Sequence, residues 1–125
     1  MENAELTHKV IGCAFAVHNS LGSGFQELIY HRALAVEFRH QGIGFESEKE
    51  MKISYRGEHI GVRRVDFWIE NQIMLEIKAV SQLENVHLAQ AMNYLEAYQV
   101  YIGLLINFGA KSVEWKRVYN NKLIK

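Results

Sequence analysis

The chain has 125 residues, of which 49% are hydrophobic and 22% are charged, and its 14 basic and 14 acidic residues give a net charge of zero. This balance indicates one globular domain over residues 1–125 and argues against disorder, a coiled coil and binding to nucleic acid through bulk positive charge. No apolar run reaches the roughly 18 residues that span a bilayer, and the N-terminus lacks a secretory pattern, so we expect no membrane partner and a cytoplasmic location.

Two helices are predicted before residue 41. Apolar residues recur at three- and four-residue spacing over residues 5–21, and Gly22 ends this helical pattern. Ser23 followed by Gln26 fits a capping box. A second helix is therefore predicted from about residue 25 to residue 40.

The period of the apolar pattern changes to two between residues 48 and 80. Strands are predicted over residues 48–55, from about residue 59 to residue 69, and from residue 73 to residue 80. The turns between them are short, so the three strands are expected to form an antiparallel meander.

A third helix should follow, capped by Ser81 or by Asn85 and ending near Tyr98. Residues 100–108 are almost continuously apolar, as in a strand buried on both faces, and a right-handed crossover would make this strand parallel to the one before the helix. Residues 113–119 complete the pattern as an edge strand. The order ααβββαββ predicts an α/β domain in which helices cover a mixed sheet of about five strands.

The second and third predicted strands carry the polar residues that most need an explanation, including Asp66, the only aspartate of the sequence. If a three-residue turn separates Ile69 from Ile73, counting back places Asp66 opposite Glu76, with side chains that start about 5 Å apart. Because like charges that face each other are unfavourable, something positive should lie between them. A divalent cation with oxygen ligands is the natural candidate, and Lys78 points to the same side.

This spacing has a chemical interpretation. Asp66 and Glu76 can hold a Mg²⁺ ion together with the backbone carbonyl of Ile77, and such an ion polarises a phosphodiester and lowers the pKa of a bound water. Lys78 can orient or deprotonate that water. Arg63 and Arg64 could both contact phosphates, although alternation places only Arg64 on the Asp66 face. Short charged patterns also recur by chance, and the alternative is a hairpin with one solvated face.

Residues 24–30, GFQELIY, match G-x-x-E-x-x-Y, the signature of the GxxExxY protein family. The likeness continues in collinear order through VD at residues 65–66, LEIKA at 75–79, VHLAQ at 86–90, NYL at 93–95 and GLLINFG at 103–109. Over almost its whole length the chain therefore resembles this family, a branch of the PD-(D/E)XK nuclease superfamily. One departure is Val65, which stands where the superfamily pattern has proline.

The resemblance implies a restriction-endonuclease-like α/β/α sandwich and a nuclease that cleaves DNA or RNA with Mg²⁺ or Mn²⁺. By motif position, the implied catalytic residues are Glu27, Asp66, Glu76, Lys78 and Gln90. Glu27 would join Asp66, Glu76 and the Ile77 carbonyl as a metal ligand.

Three further residues are candidates for substrate contacts. Tyr30 is either a hydrogen-bond donor in the site or a buried aromatic residue that fixes its helix. His87 could touch a phosphate or a metal-bound water, or it could cap a helix. Arg64 is the third candidate, as a phosphate contact.

Two other functions fit the same sequence. A nucleic-acid-binding or accessory module could keep the fold without cleaving by itself, as the zero net charge suggests. A structural role is the second alternative, with oligomerisation through the edge strand at residues 113–119. Because one small domain offers little surface to grip a duplex, a homodimer is a further expectation.

Overall fold

The structure, a computed structural model, describes residues 3–123. The elements follow in the predicted order ααβββαββ: α1 (Ala4–Leu21), α2 (Glu27–His40), β1 (Phe45–Tyr55), β2 (Glu58–Ile69), β3 (Ile73–Lys78), α3 (Asn85–Tyr98), β4 (Ile102–Asn107), β5 (Glu114–Tyr119) and a 3₁₀ turn (Asn121–Leu123). The predicted domain also includes residues 1–2 and 124–125, which lie outside the described part. No helix within residues 3–123 is long and apolar enough to cross a membrane.

The five strands form one mixed sheet in the order β1-β2-β3-β4-β5. β3 and β4 are parallel, and the other neighbours are antiparallel. The predicted crossover through α3 and the predicted edge position of the last strand are therefore confirmed. All six residues of β4 are buried, as its continuous apolar run indicates.

Helices cover both faces of the sheet. The larger core joins α1 and α2 to one face through residues such as Val10, Phe38 and Phe67. The smaller core joins α3 to the other face through residues such as Leu95 and Met74. The predicted three-layer α/β/α sandwich is confirmed, and its two cores lie on opposite sides of the central strands.

The helix starts differ from the predicted ones. α2 begins at Glu27 rather than residue 25, because the backbone of Gln26 is extended (ψ 157°). α3 is capped at Glu84 rather than at Ser81 or Asn85, and the Glu84 amide donates to Nδ1 of His87 at 2.9 Å. The segment before Glu84 is kept out of the helix by side chains from later strands.

Asn107 makes most of those contacts. Its Oδ1 accepts from the amides of Val80 (2.9 Å) and Gly109 (3.0 Å), while its Nδ2 donates to the Val80 carbonyl and to Glu114, each at 2.9 Å. Glu114 also accepts from the Leu83 amide at 2.8 Å. These hydrogen bonds hold the pKa of Glu114 below its ordinary value. The turn from β3 into α3 is therefore fixed by a buried amide at the end of β4.

We expect Asn107→Ala to lower the free energy of unfolding by about 3 kcal/mol, because several groups around it would lose their hydrogen-bond partners. Urea denaturation followed by circular dichroism measures this change. Asn121→Ala is the matched control, since Asn121 is exposed in the 3₁₀ turn, and it should change stability by less than about 0.5 kcal/mol. Equal effects of the two substitutions would contradict the role given to Asn107.

Candidate functional site

Asp66 and Glu76 lie where β2 and β3 stop pairing through their backbones. The ladder joins Ile69 to Ile73 and Phe67 to Leu75, which confirms the register predicted from the turn. At the next step the Asp66 amide donates to Oε2 of Glu76 at 3.1 Å. Within the same gap, Oδ2 of Asp66 accepts from the amide of Ile77 at 2.8 Å. Each carboxylate therefore takes the place of a backbone carbonyl between the two strands.

The ribbon formed by β1 and β2 is irregular at Asp66, where side chains two residues apart point to opposite faces of the sheet. Phe67 packs in the core under α1 and α2, whereas Val65 packs in the core under α3. Opposite this change, Glu48 of β1 has a left-handed backbone (φ 53°). The simple alternation assumed for β2 is therefore interrupted at Asp66.

This interruption corrects the prediction about the two arginines. Arg63, which the alternation placed on the other face, brings Nη2 to 2.7 Å from Oε1 of Glu76. Arg64 pairs instead with Glu50 at 3.8 Å, and both of those side chains are largely exposed. The prediction that only Arg64 lies on the acidic face is wrong. Residues of β2 before Asp66 point to the opposite face from the one that regular alternation would give them.

A cleft of about 200 Å³ opens on the α2 side of the acidic pair. Its lining brings Glu27, the first residue of α2, together with Asp66 and Ile77. Glu27 is exposed to solvent, but partial desolvation, followed by the nearby Asp66 carboxylate, raises its pKa above the ordinary value. The predicted third carboxylate and the Ile77 backbone thus lie beside the same cleft.

Two residues that the sequence did not single out also line this cleft, His31 and Glu48. His31 stacks on Phe67 with ring centroids 4.3 Å apart, makes a 2.6 Å hydrogen bond with Ser47, and has Nδ1 3.9 Å from Oδ1 of Asp66. Its position four residues after Glu27 is a signal that could have identified it, since such residues share a helix face. Glu48 gave no such signal, because its orientation follows from an irregular backbone.

Lys78 and Gln90 lie on the α3 side of the acidic pair. With Glu76, Arg63 and His87 they line a small cavity of about 10 Å³, enough for about one water. His87 is near these residues, but its Nδ1 accepts the hydrogen bond that caps α3. The structure therefore brings Lys78 and Gln90 to Glu76, and it gives His87 the capping contact that was one of its two interpretations.

Tyr30 does not reach the cleft. It is 0% exposed, stacks on Phe108 at 4.7 Å, donates to the carbonyl of Gly22 and accepts from the amide of Phe25. Of the two interpretations of Tyr30, the structure shows the buried aromatic residue that fixes its helix. Its hydroxyl fixes the loop that leads into α2 and so helps to position Glu27.

The acidic pair is electrostatically costly in the absence of a cation. Glu76 is only 4% exposed. Burial, followed by the adjacent Asp66 carboxylate, raises the pKa of Glu76 from its ordinary value of 4.5 to about 8, and the Arg63 guanidinium opposes this rise. A cation near both carboxylates would stabilise their ionised forms.

The donor atoms at this site suit a hard divalent cation. Carboxylate and carbonyl oxygens are the ligands that Mg²⁺ prefers, and Glu27, Asp66, Glu76 and Ile77 supply them around one break in the sheet. Across residues 3–123, no three histidine, cysteine, aspartate or glutamate side chains are already arranged to hold a metal ion. The chemistry therefore fits a cation, while the side chains would have to close in to bind it.

Comparisons with known proteins agree with this architecture. A family model described as the PD-(D/E)XK nuclease superfamily matches residues 4–118. No curated protein matches the chain. The crystal structure of SSO0001 is similar, with a TM-score of 0.58 and 22% sequence identity over 73% of this chain. This chain spans 48% of that structure's length, so the likeness supports the fold alone.

The family model covers nearly all of the described residues, including both acidic strands and α3. It does not distinguish the GxxExxY branch, which stays a prediction. The chain belongs to the PD-(D/E)XK nuclease superfamily.

Proposed function

We propose that this domain is a metal-dependent nuclease that hydrolyses phosphodiester bonds of DNA or RNA. The observation that carries the proposal is the acidic pair itself: Asp66 and Glu76 are held together in a strand break, with Glu27 on one side and Lys78 on the other. Superfamily membership supports the same chemistry.

In this proposal Asp66, Glu76, Glu27 and the backbone carbonyl of Ile77 hold Mg²⁺ or Mn²⁺. When bound, the cation supplies charge stabilisation at the phosphate and lowers the pKa of a bound water. The residues contribute a rigid frame, because the hydrogen bonds at Asp66 and Ile77 fix both strands to the carboxylates. The cleft beside Glu27 gives a phosphate access to this frame.

Lys78 and Gln90 act from the α3 side. Among the described residues Lys78 forms no ion pair, so its ammonium group is available to orient the attacking water or to stabilise negative charge on the phosphate. Gln90 lines the same small cavity and can donate a hydrogen bond from its amide. Together they complete the set of polar groups around Glu76.

A nucleic-acid-binding module without its own cleavage is the second candidate. It is favoured by the contact of Arg63 with Glu76, since a guanidinium stands beside the carboxylate that a cation would need. Such a module would bind nucleic acid in a salt-sensitive manner without added metal. The homodimer and the cytoplasmic location stay predictions.

The nuclease proposal predicts that Asp66→Asn and Lys78→Met each reduce cleavage by at least about 100-fold, the range expected for losing a catalytic acid-base or electrostatic group. Initial rates with Mg²⁺ or Mn²⁺ should be measured on single-stranded and duplex DNA and on RNA. Chelation by EDTA should stop the reaction, and added Mn²⁺ should restore it.

Lys116→Met is the control for these variants, because it removes the same charge from an exposed position on β5. Its cleavage rate should match that of the wild type. Cleavage that survives both Asp66→Asn and EDTA would contradict the proposal. Salt-sensitive binding without any cleavage would support the second candidate instead.

The raised pKa values of Glu76 and Glu27 also predict how stability depends on pH without metal. Between about pH 4.5 and pH 8 the folded protein retains protons that the unfolded chain has released, so the free energy of unfolding should fall as the pH rises through this range. Saturating Mg²⁺ should raise stability at pH 8, because it binds the ionised folded site.

Urea unfolding in EDTA at several pH values measures this slope, which should be shallower in Glu76→Gln. Glu96→Gln is the control, since Glu96 lies on α3 and pairs with Lys122 of the 3₁₀ turn rather than with the acidic pair. Its slope should equal that of the wild type. A Glu76→Gln slope equal to the wild-type slope would show that Glu76 does not titrate in this range.

A further inference from the structure

Three contacts hold the Arg63 guanidinium beside the acidic pair. Nη2 is 2.7 Å from Oε1 of Glu76, the guanidinium carbon lies 4.3 Å from the ring centroid of Tyr94, and Nη1 donates to the carbonyl of Arg64 at 3.1 Å. The side chain thus reaches across from β2 to α3 and covers Glu76 from the α3 side.

This position conflicts with a cation bound to Glu76. Oε2 of Glu76 already accepts from the Asp66 amide, and Oε1 faces the guanidinium. A divalent cation ligated by this carboxylate would lie about 2.1 Å from one of its oxygens. Because Nη2 of Arg63 is only 2.7 Å from an oxygen of the same, largely buried carboxylate, the two positive groups would repel each other.

One donor nitrogen of the Arg63 guanidinium also lacks a hydrogen-bond partner among the described residues. This nitrogen, Nε, is buried, and a buried unpaired donor is destabilising. The side chain as a whole is 33% exposed, so it has a route outward. The contact with Glu76 is therefore one that a stronger cation can displace.

We propose that Arg63 is a positioning residue that holds Glu76 in the absence of metal and competes with the divalent cation for its carboxylate. This inference rests on the proposed function. Metal binding then requires the guanidinium to leave Glu76, which sets the affinity of the site. Arg63 keeps the buried acid neutralised until a cation replaces it.

Mg²⁺ titration calorimetry of the whole domain tests this competition without any measurement of activity. We expect Arg63→Gln to bind Mg²⁺ about three- to tenfold more tightly than the wild type, as expected for removal of one partly exposed competing charge. All variants are titrated at the same pH, because metal binding releases protons from its ligands and therefore depends on pH. Arg63→Lys should show a smaller gain, and it carries the test if Arg63→Gln does not fold.

Arg117→Gln is the matched control, because it also removes a guanidinium that stacks on an aromatic ring, Trp115 at 5.4 Å. Its Mg²⁺ affinity should equal that of the wild type. Binding that depends on Asp66 but is unchanged or weaker in the Arg63 variants would overturn this inference alone. Absence of Asp66-dependent Mg²⁺ binding in the wild type and in every variant would overturn the proposed metal centre as well.

Discussion

The site depends on two hydrogen bonds in which the carboxylates of Asp66 and Glu76 accept from backbone amides of the neighbouring strand. The Asp66 amide donates to Glu76, and the Ile77 amide donates to Asp66, so two partly buried backbone donors are satisfied by carboxylates. Because side chains replace carbonyls as acceptors, the strands end their regular pairing at this point. The same break lets the β1–β2 ribbon change face and brings Arg63 to Glu76.

This arrangement gathers three carboxylates around one buried member, Glu76. Glu76 is buried next to Asp66, and Glu27 approaches from α2, so the pKa values of both glutamates rise. Arg63 offsets part of the charge from the α3 side. A cation bound near these carboxylates would stabilise their ionised forms and so the folded state.

Much of the fold could be predicted from the sequence, because periodicity and connectivity determine it. The register of Ile69 with Ile73 followed from a turn length, and the parallel pairing of β3 with β4 followed from the helix that connects them. The start of α3 did not follow in this way. Asn107 and Glu114, which come later in the chain, bind the loop before α3 through the amides of Val80 and Leu83. Local capping patterns in the sequence do not indicate such distant contacts.

The site was predictable in its acidic residues and less so in its surroundings. Counting along the strands correctly placed Asp66 beside Glu76, because the ladder is regular up to the pair of Phe67 with Leu75. Counting beyond that pair failed for Arg63, since the strand changes face at Asp66, where side-chain hydrogen bonds replace the regular ladder and Glu48 on the neighbouring strand has a left-handed backbone. Tyr30 had two interpretations of equal merit, and only its packing on Phe108 separated them.

Together, the two proposals say that the acidic pair binds a divalent cation and that Arg63 competes with this cation for Glu76. The most direct measurement is a crystal structure of the protein grown with Mn²⁺, with anomalous diffraction to locate the metal. We expect an anomalous peak ligated by Asp66 and Glu76, with the Arg63 guanidinium displaced from Glu76. Saturating Mn²⁺ with no peak at the pair, and Arg63 still in contact with Glu76, would contradict both proposals.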